Sequence, residues 1–303
     1  METGDNSRVM SDLMRRVAEM AEDRVSGATF ILQAAVAVLG QALDQPAELA
    51  PLARALCVAQ PTMAPIWNAA LIALASRDDR ARFTQFVRRV ERAPQALARF
   101  AAAAFDTGAP LSPRRIVTIS SSRSVVTVLE ALRKQGPVEI ACSESRPALE
   151  GRGLASSLAA LGVAVTYFSD AALGAALAGA EAVLVGADAV MPRGFLNKVG
   201  TRMLAAAAAS AGVPVYVAAT RDKFVSAAIA DRLTIREGSP GEIWDAPPAG
   251  VTVRNPYFEL TPLDAVTAII SDVGVLGAGM VADVCGALDD EAMRRALAEL
   301  DSK

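Results

Sequence analysis

Apolar residues in the first hundred positions recur at helical spacing, and after residue 113 they gather instead into short runs separated by polar loops. Leu13, Val17 and Met20, with charges between them, mark an amphipathic helix over Asp12 to Asp23. Ser26 is placed to cap a second helix, from Gly27 to about Leu43. The helical pattern continues with segments near Leu52 to Val58, Met63 to Ala75, Asp78 to Ala93 and Pro94 to Ala104, broken at Pro61, at Ser76-Arg77 and at Pro94. The stretch Asp106 to Pro113 then interrupts the periodicity with Gly108, Pro110 and Pro113. It sets an expected boundary between a helical domain, residues 1–110, and a second domain, residues 111–303.

In the second domain Ile116 to Ile119, Val138 to Ala141, Val163 to Phe168, Ala182 to Val185 and Val215 to Ala218 read as strands. Helices near Arg123 to Lys134, Gly151 to Leu161, Ala171 to Ala178 and Lys198 to Ser210 separate them. This alternation predicts right-handed crossovers and a parallel sheet, so the fold class is α/β: a helical N-terminal domain plus a Rossmann-like parallel-sheet C-terminal domain. Past Thr220 the pattern loosens. Leu233 to Ile235 and Val251 to Val253 are expected as further strands, Pro262 to Ile270 as a helix, and Asp290 to Leu300 as the last helix.

Composition narrows the function classes. Over 303 residues, 52% hydrophobic and 21% charged describe a globular chain, and a net charge of -3 gives no electrostatic case for nucleic acid. The longest apolar stretch, Gly27 to Leu43, is broken by Gln33, Gly40 and Gln41 and falls short of the roughly 20 residues that span a bilayer, so no membrane association is expected. The first ten residues carry acids and lack an apolar signal core, which leaves the cytoplasm as the expected location. Cys57, Cys142 and Cys285 have neither zinc-site nor disulfide spacing and are expected as reduced thiols. The chain has no histidine, which excludes Ser-His-Asp and Cys-His catalysis, haem and the usual zinc constellations. Gly274, Gly277 and Gly279 have the wrong spacing for a dinucleotide fingerprint, so a nicotinamide dehydrogenase is set aside and neither cofactor nor metal is expected.

Candidate chemistry collects where the strands end, which in a doubly wound sheet is where ligands bind. Asp188 lies just beyond Gly186 at the end of the fourth run; a plain turn residue would look the same. Asn197 and Lys198 are expected at a helix entrance, beside backbone N–H groups suited to phosphate or carboxylate. Ser120 and Ser122 follow the first run, with hydroxyls that suit an anion or a simple N-cap. Cys142 ends the second run, before Glu144, Arg146, Glu150 and Arg152, a group that reads either as a solvated loop or as an arginine pair for phosphate.

Taken together these motifs resemble the family of the alpha, beta and delta subunits of translation initiation factor 2B, methylthioribose-1-phosphate isomerase and ribose-1,5-bisphosphate isomerase. The resemblance rests on Glu144-Ser-Arg-Pro147 with Glu150-Gly-Arg152, Gly186-Ala-Asp-Ala-Val190 and Asn197-Lys-Val-Gly-Thr201, together with Asn255-Pro256, Thr261-Pro262 and the run Ile269 to Gly274. Ser26-Gly27-Ala28 is similar to a small-residue motif near the family's amino end. The resemblance implies a helical domain on a Rossmann-like domain, a phosphorylated sugar or nucleotide as ligand, and homodimers or larger assemblies. It also implies that catalytic members pair a cysteine at the end of the first strand with the aspartate matching Asp188. Here the cysteine's position holds Ser120, and Ser26 stands where the isomerases usually carry a phosphate-holding arginine.

Two functions follow. The preferred one is a non-catalytic sensor or scaffold that keeps the sugar-phosphate pocket. The alternative is an aldose–ketose isomerase in which Asp188 is the general acid or base, Asn197 and Lys198 position sugar oxygens, Arg146 and Arg152 hold phosphate, and Cys142 replaces the missing thiol.

Overall fold

The computed structural model describes residues 2–22, 28–105, 113–235 and 237–302. Helices α1 (Glu2–Glu22), α2 (Ala28–Ala42), α3 (Pro46–Ala59), α4 (Ala64–Leu74) and α5 (Ala81–Ala104) form the first layer. The sequence APIWNAALIAL leaves α4 no solvent face, and every one of its residues is buried, so the other helices assemble around it. α5 runs unbroken through Pro94, where the sequence implied two helices. Phe83, Phe86, Ala93, Leu97 and Ala101 make one buried stripe along it, and that burial outweighs the backbone hydrogen bond that proline forgoes. Ser26, Gly27 and most of the expected domain boundary lie outside the described residues.

From β1 (Arg114–Thr118) the chain alternates through α6 (Arg123–Arg133), β2 (Val138–Ser143), α7 (Glu150–Ala160), β3 (Ala164–Phe168), a 3-10 segment Asp170–Leu177 and β4 (Ala182–Val185). Next come β5 (Ala189–Met191), β6 (Gly194–Lys198), α8 (Thr201–Ser210), β7 (Val215–Ala218), a 3-10 turn Arg221–Lys223 and α9 (Ala227–Ala230). β8 (Phe258–Thr261), β9 (Ala268–Ser271), β10 (Gly274–Leu276), α10 (Ala278–Gly286) and α11 (Glu291–Asp301) complete the order.

The main sheet has seven strands in the order β10-β9-β7-β4-β1-β2-β3, parallel except for the β9–β10 pair. From β1 the chain first builds outward through β2 and β3, then returns to lay β4 on the other side of β1. That reversal opens a crevice between the ends of β1 and β4. Period-two alternation sorts the strand residues between two cores: Val117, Val183, Val185 and Val217 face one, and Ile116, Ile140, Leu184 and Ile270 the other.

Three expectations give way. Residues 233–235 and 251–253 are not strands. The stretch from Pro262 to Ile270 is a short 3-10 turn followed by β9, because Thr267 N–H donates to the Val215 carbonyl at 2.8 Å and draws this β-branched segment onto the sheet. A second, antiparallel sheet β5-β6-β8 was not anticipated, and it places Asn197 and Lys198 on a strand rather than at the start of a helix.

Candidate functional site

The turn after β1 is built around Ser120, whose φ of 67° is left-handed. A non-glycine residue there costs on the order of 1 kcal/mol, a strain that recurs at ligand sites. Ser145 holds the turn: its hydroxyl accepts the Ser120 N–H at 2.8 Å and donates to the Ser143 carbonyl at 3.3 Å. Ser145 and Leu149 are left-handed as well, each with φ of 60°. The Asp170 carboxylate accepts the N–H groups of Ser145 at 2.8 Å and Arg146 at 2.7 Å, pinning the loop that follows β2. Ser122 occupies the N-cap position of α6, yet its side chain makes no capping bond, and its buried Oγ has no partner among the described residues.

Gly186 lets the end of β4 close against this turn. A Cβ at that position would lie 2.6 Å from both Cβ and Oγ of Ser122, and 3.7 Å from Asn197 Oδ1. Beyond it, Asp188 is fixed by its backbone, with its N–H donating to Leu196 O at 2.8 Å and its carbonyl accepting from Ala64 N at 3.1 Å. The helical layer therefore touches the site directly through α4. Burial pushes the Asp188 carboxyl above its ordinary value; Lys223 opposes that shift, Glu150 adds to it and Lys198 opposes it.

Lys198, only 2% exposed, lies at the centre of the group. Its Nζ is 2.8 Å from Glu150 Oε1 and 4.6 Å from the centre of the Tyr257 ring. Ser120 Oγ donates to the same Glu150 oxygen at 3.2 Å, while Glu150 Oε2 is buried with no hydrogen-bond partner among the described residues. Asn197 Nδ2 donates to Thr201 Oγ1 at 2.8 Å, and Thr201 in turn donates to the Lys198 carbonyl at 2.6 Å. The start of α8, expected to receive a ligand anion, is occupied by the chain's own carboxylate: Glu259 Oε1 accepts Gly200 N–H at 2.7 Å and Arg202 N–H at 2.9 Å.

Ser120, Ser122, Asp188, Asn197 and Lys198 are thus gathered at the switch point. The remaining candidates are placed differently. Arg146 and Arg152 are exposed, and their side chains form no ion pair or hydrogen bond among the described residues. Glu144 contributes backbone, donating to Phe168 O at 2.9 Å and accepting from Gly151 N at 3.3 Å. Cys142 is fully buried in the core shared by Leu154, Leu158 and Leu184, and burial raises its thiol to about 11.

Several members of the group had no role in the sequence pattern. Lys223, 7% exposed, follows the end of β7, and the strand-end rule that picked out Asp188 would have reached it. Glu259 gave no signal, because its role depends on β8 pairing with β6. Among the described residues no three His, Cys, Asp or Glu side chains gather to hold a metal, and no helix is long and apolar enough to cross a membrane.

The fold and the cluster define a doubly wound α/β protein with a charged crevice at its topological switch point, against which the start of α4 packs. The chain belongs to the initiation factor 2 subunit family, which it matches over residues 24–278. A Pyrococcus furiosus protein named as translation initiation factor eIF-2B subunit 2-like is 28% identical, over 87% of this chain and 96% of that one. A ribose 1,5-bisphosphate isomerase of Haloferax volcanii is 32% identical, over 89% of this chain and 90% of that one. Among solved structures, the translation initiation factor eIF-2B of Pyrococcus horikoshii OT3 superposes with a TM-score of 0.74 at 26% identity, covering 88% of this chain and 96% of its own.

Proposed function

We propose that this protein binds a sugar phosphate or nucleotide phosphate in the crevice between β1 and β4, and acts there as a sensor or scaffold rather than an isomerase. The observation that carries the reading is Ser120, which stands at the end of the first strand where catalytic relatives are expected to carry cysteine. Its hydroxyl lies 3.2 Å from Glu150 Oε1. A serine hydroxyl is too weak an acid to take the thiol's part near neutral pH, and the chain has no histidine to activate it. Cys142, buried behind the sheet with a raised thiol, offers no replacement.

The rest of the cluster suits a phosphorylated ligand. Lys198 and Lys223 supply cations, the start of α6 has no side-chain cap, and Ser120, Ser122 and Asn197 provide hydroxyl and amide groups for a sugar. Exposed Arg146 and Arg152 would meet the ligand at the rim. In the same reading the chain forms homodimers or larger assemblies, checked by sedimentation.

The isomerase alternative keeps one specific support, the raised Asp188 carboxyl, which suits a proton carrier. Thermal unfolding with ribose 1,5-bisphosphate, methylthioribose 1-phosphate and nucleoside monophosphates, followed by NMR of each incubated mixture, separates the two. A ligand at a hundred times its Kd should stabilise by about 2.7 kcal/mol and remain unchanged. Ser120→Cys should then confer detectable aldose-to-ketose conversion. Turnover by the wild type would overturn the sensor reading.

A further inference from the structure

Away from the crevice, a cavity of about 270 Å³ lies where α4 and α5 meet the turn after β7 and the start of α11. Its walls carry Arg82 and Arg89 from α5, Arg221 and Asp222 from the 3-10 turn, and Asp290 at the N-cap of α11. The Arg89 guanidinium lies 5.8 Å from the centre of the Phe86 ring, which also lines the space.

The acids around this cavity are already engaged. Asp290 Oδ2 takes Arg82 at 2.6 Å, while its Oδ1 accepts Met293 N–H at 3.0 Å. Asp272 accepts the backbone N–H of Arg221 at 2.6 Å and the Ser271 hydroxyl at 3.1 Å. Burial raises the Asp222 carboxyl and so favours its neutral form, against hydrogen bonding from Thr220 and the charge of Lys223.

Two guanidiniums are left over. Arg89 and Arg221 form no ion pair among the described residues, and Arg221 Nε is a buried donor with no acceptor there. Burial lowers the Arg89 guanidinium from its ordinary value, and the charge of Arg221 lowers it further; Asp272 and Asp222 offset this only in part. Two like charges, partly stripped of water and aimed into one cavity, are an arrangement that folding alone does not favour. A dianion between them would turn repulsion into two bidentate contacts.

We infer that this cavity is a second anion site, separate from the crevice, that takes the phosphate group of a small phosphorylated metabolite. Ligand pockets commonly run from about 300 to 1,000 Å³, so a space of 270 Å³ fits a phosphate monoester with a short carbon skeleton better than a dinucleotide. The turn Arg221–Lys223 is shared between the two sites: Arg221 faces this cavity, and Lys223 acts on Asp188.

Calorimetric titration with inorganic phosphate at low ionic strength, paired with thermal unfolding, tests the assignment on the full chain. Arg89→Met keeps the apolar stem over Phe86 and removes the charge. It should weaken phosphate binding roughly tenfold or more, since one charge-assisted bidentate contact is lost. It should also raise the melting temperature of the ligand-free protein, because the repulsion is relieved. Arg221→Met should behave alike, and Lys198→Met, which alters only the crevice, should leave this binding event in place. The inference is overturned if phosphate does not bind, if Lys198→Met alone abolishes binding, or if both arginine variants bind phosphate as the wild type does.

Discussion

Asp188 is a site residue whose acidity is changed by its surroundings. Its folded-state value is raised above the ordinary 3.8. The native protein therefore holds this proton more tightly than the unfolded chain does. The resulting stability is fully present below the unfolded value and is lost as pH rises through the folded one. Asp188→Asn cannot ionise, so its melting temperature should vary less with pH and exceed that of the wild type at the alkaline end, while ligand affinity falls. Thermal unfolding from pH 4 to 8 with a parallel binding isotherm checks both, and an unchanged pH profile would remove Asp188 from the charged group. Asp188 was legible in the sequence because a glycine after an apolar run marks a strand end, whereas Asn197 and Lys198 were expected at a helix entrance and lie instead on β6. The Lys198–Glu150 ion pair was not legible, because it joins the end of β6 to the first residue of α7, 48 positions apart in the chain.

At the scale of elements, the site depends on how closely β4 approaches the turn between β1 and α6. Gly186→Ala places a methyl group 2.6 Å from Ser122 Cβ. Overpacking of this kind costs about 1–3 kcal/mol. Ser122→Gly in the same chain should recover most of the loss, and urea denaturation of both variants measures it; failure of the rescue would mean that strain lies elsewhere. β1, β2, β3, β4 and β7 were readable because each carries an apolar run closed by a polar turn, whereas β9 lies inside a stretch expected to be helical. β5, β6 and β8 were not readable, because β5 has only three residues, β6 carries Gly194, Asn197 and Lys198 in place of an apolar run, and β8 is only half-buried for most of its length. Proline also proved a weaker punctuation mark than burial: the stripe from Phe83 to Ala101 carries α5 straight through Pro94.

Over the whole molecule, the cores do not divide where composition changes. Leu97, Ala101 and Phe105 of the α5 segment pack with the sheet's strands, whereas Met293, Ala296, Leu297 and Leu300 of α11 pack with the helical layer. Domains of residues 1–110 and 111–303 remain a proposal about the chain's organisation, and the interleaved cores argue that the two parts unfold together. Leu297→Ala, 179 residues past the end of β1 and only 6% exposed, should cost about 2–5 kcal/mol. Trp67 emission and far-ultraviolet dichroism should still report a single coincident transition. Two separated transitions would show independent domains.

The return of α11 to the helical layer also bears on the order of synthesis. A growing polypeptide ordinarily completes its amino-terminal parts first. Here α1 to α4 are made long before the side chains that finish their core, and Met191, Leu196, Val225 and Ile229 must arrive before α11 does. These early helices are thus among the last parts to be sealed, and they stay sticky on the ribosome until residues near 300 have emerged.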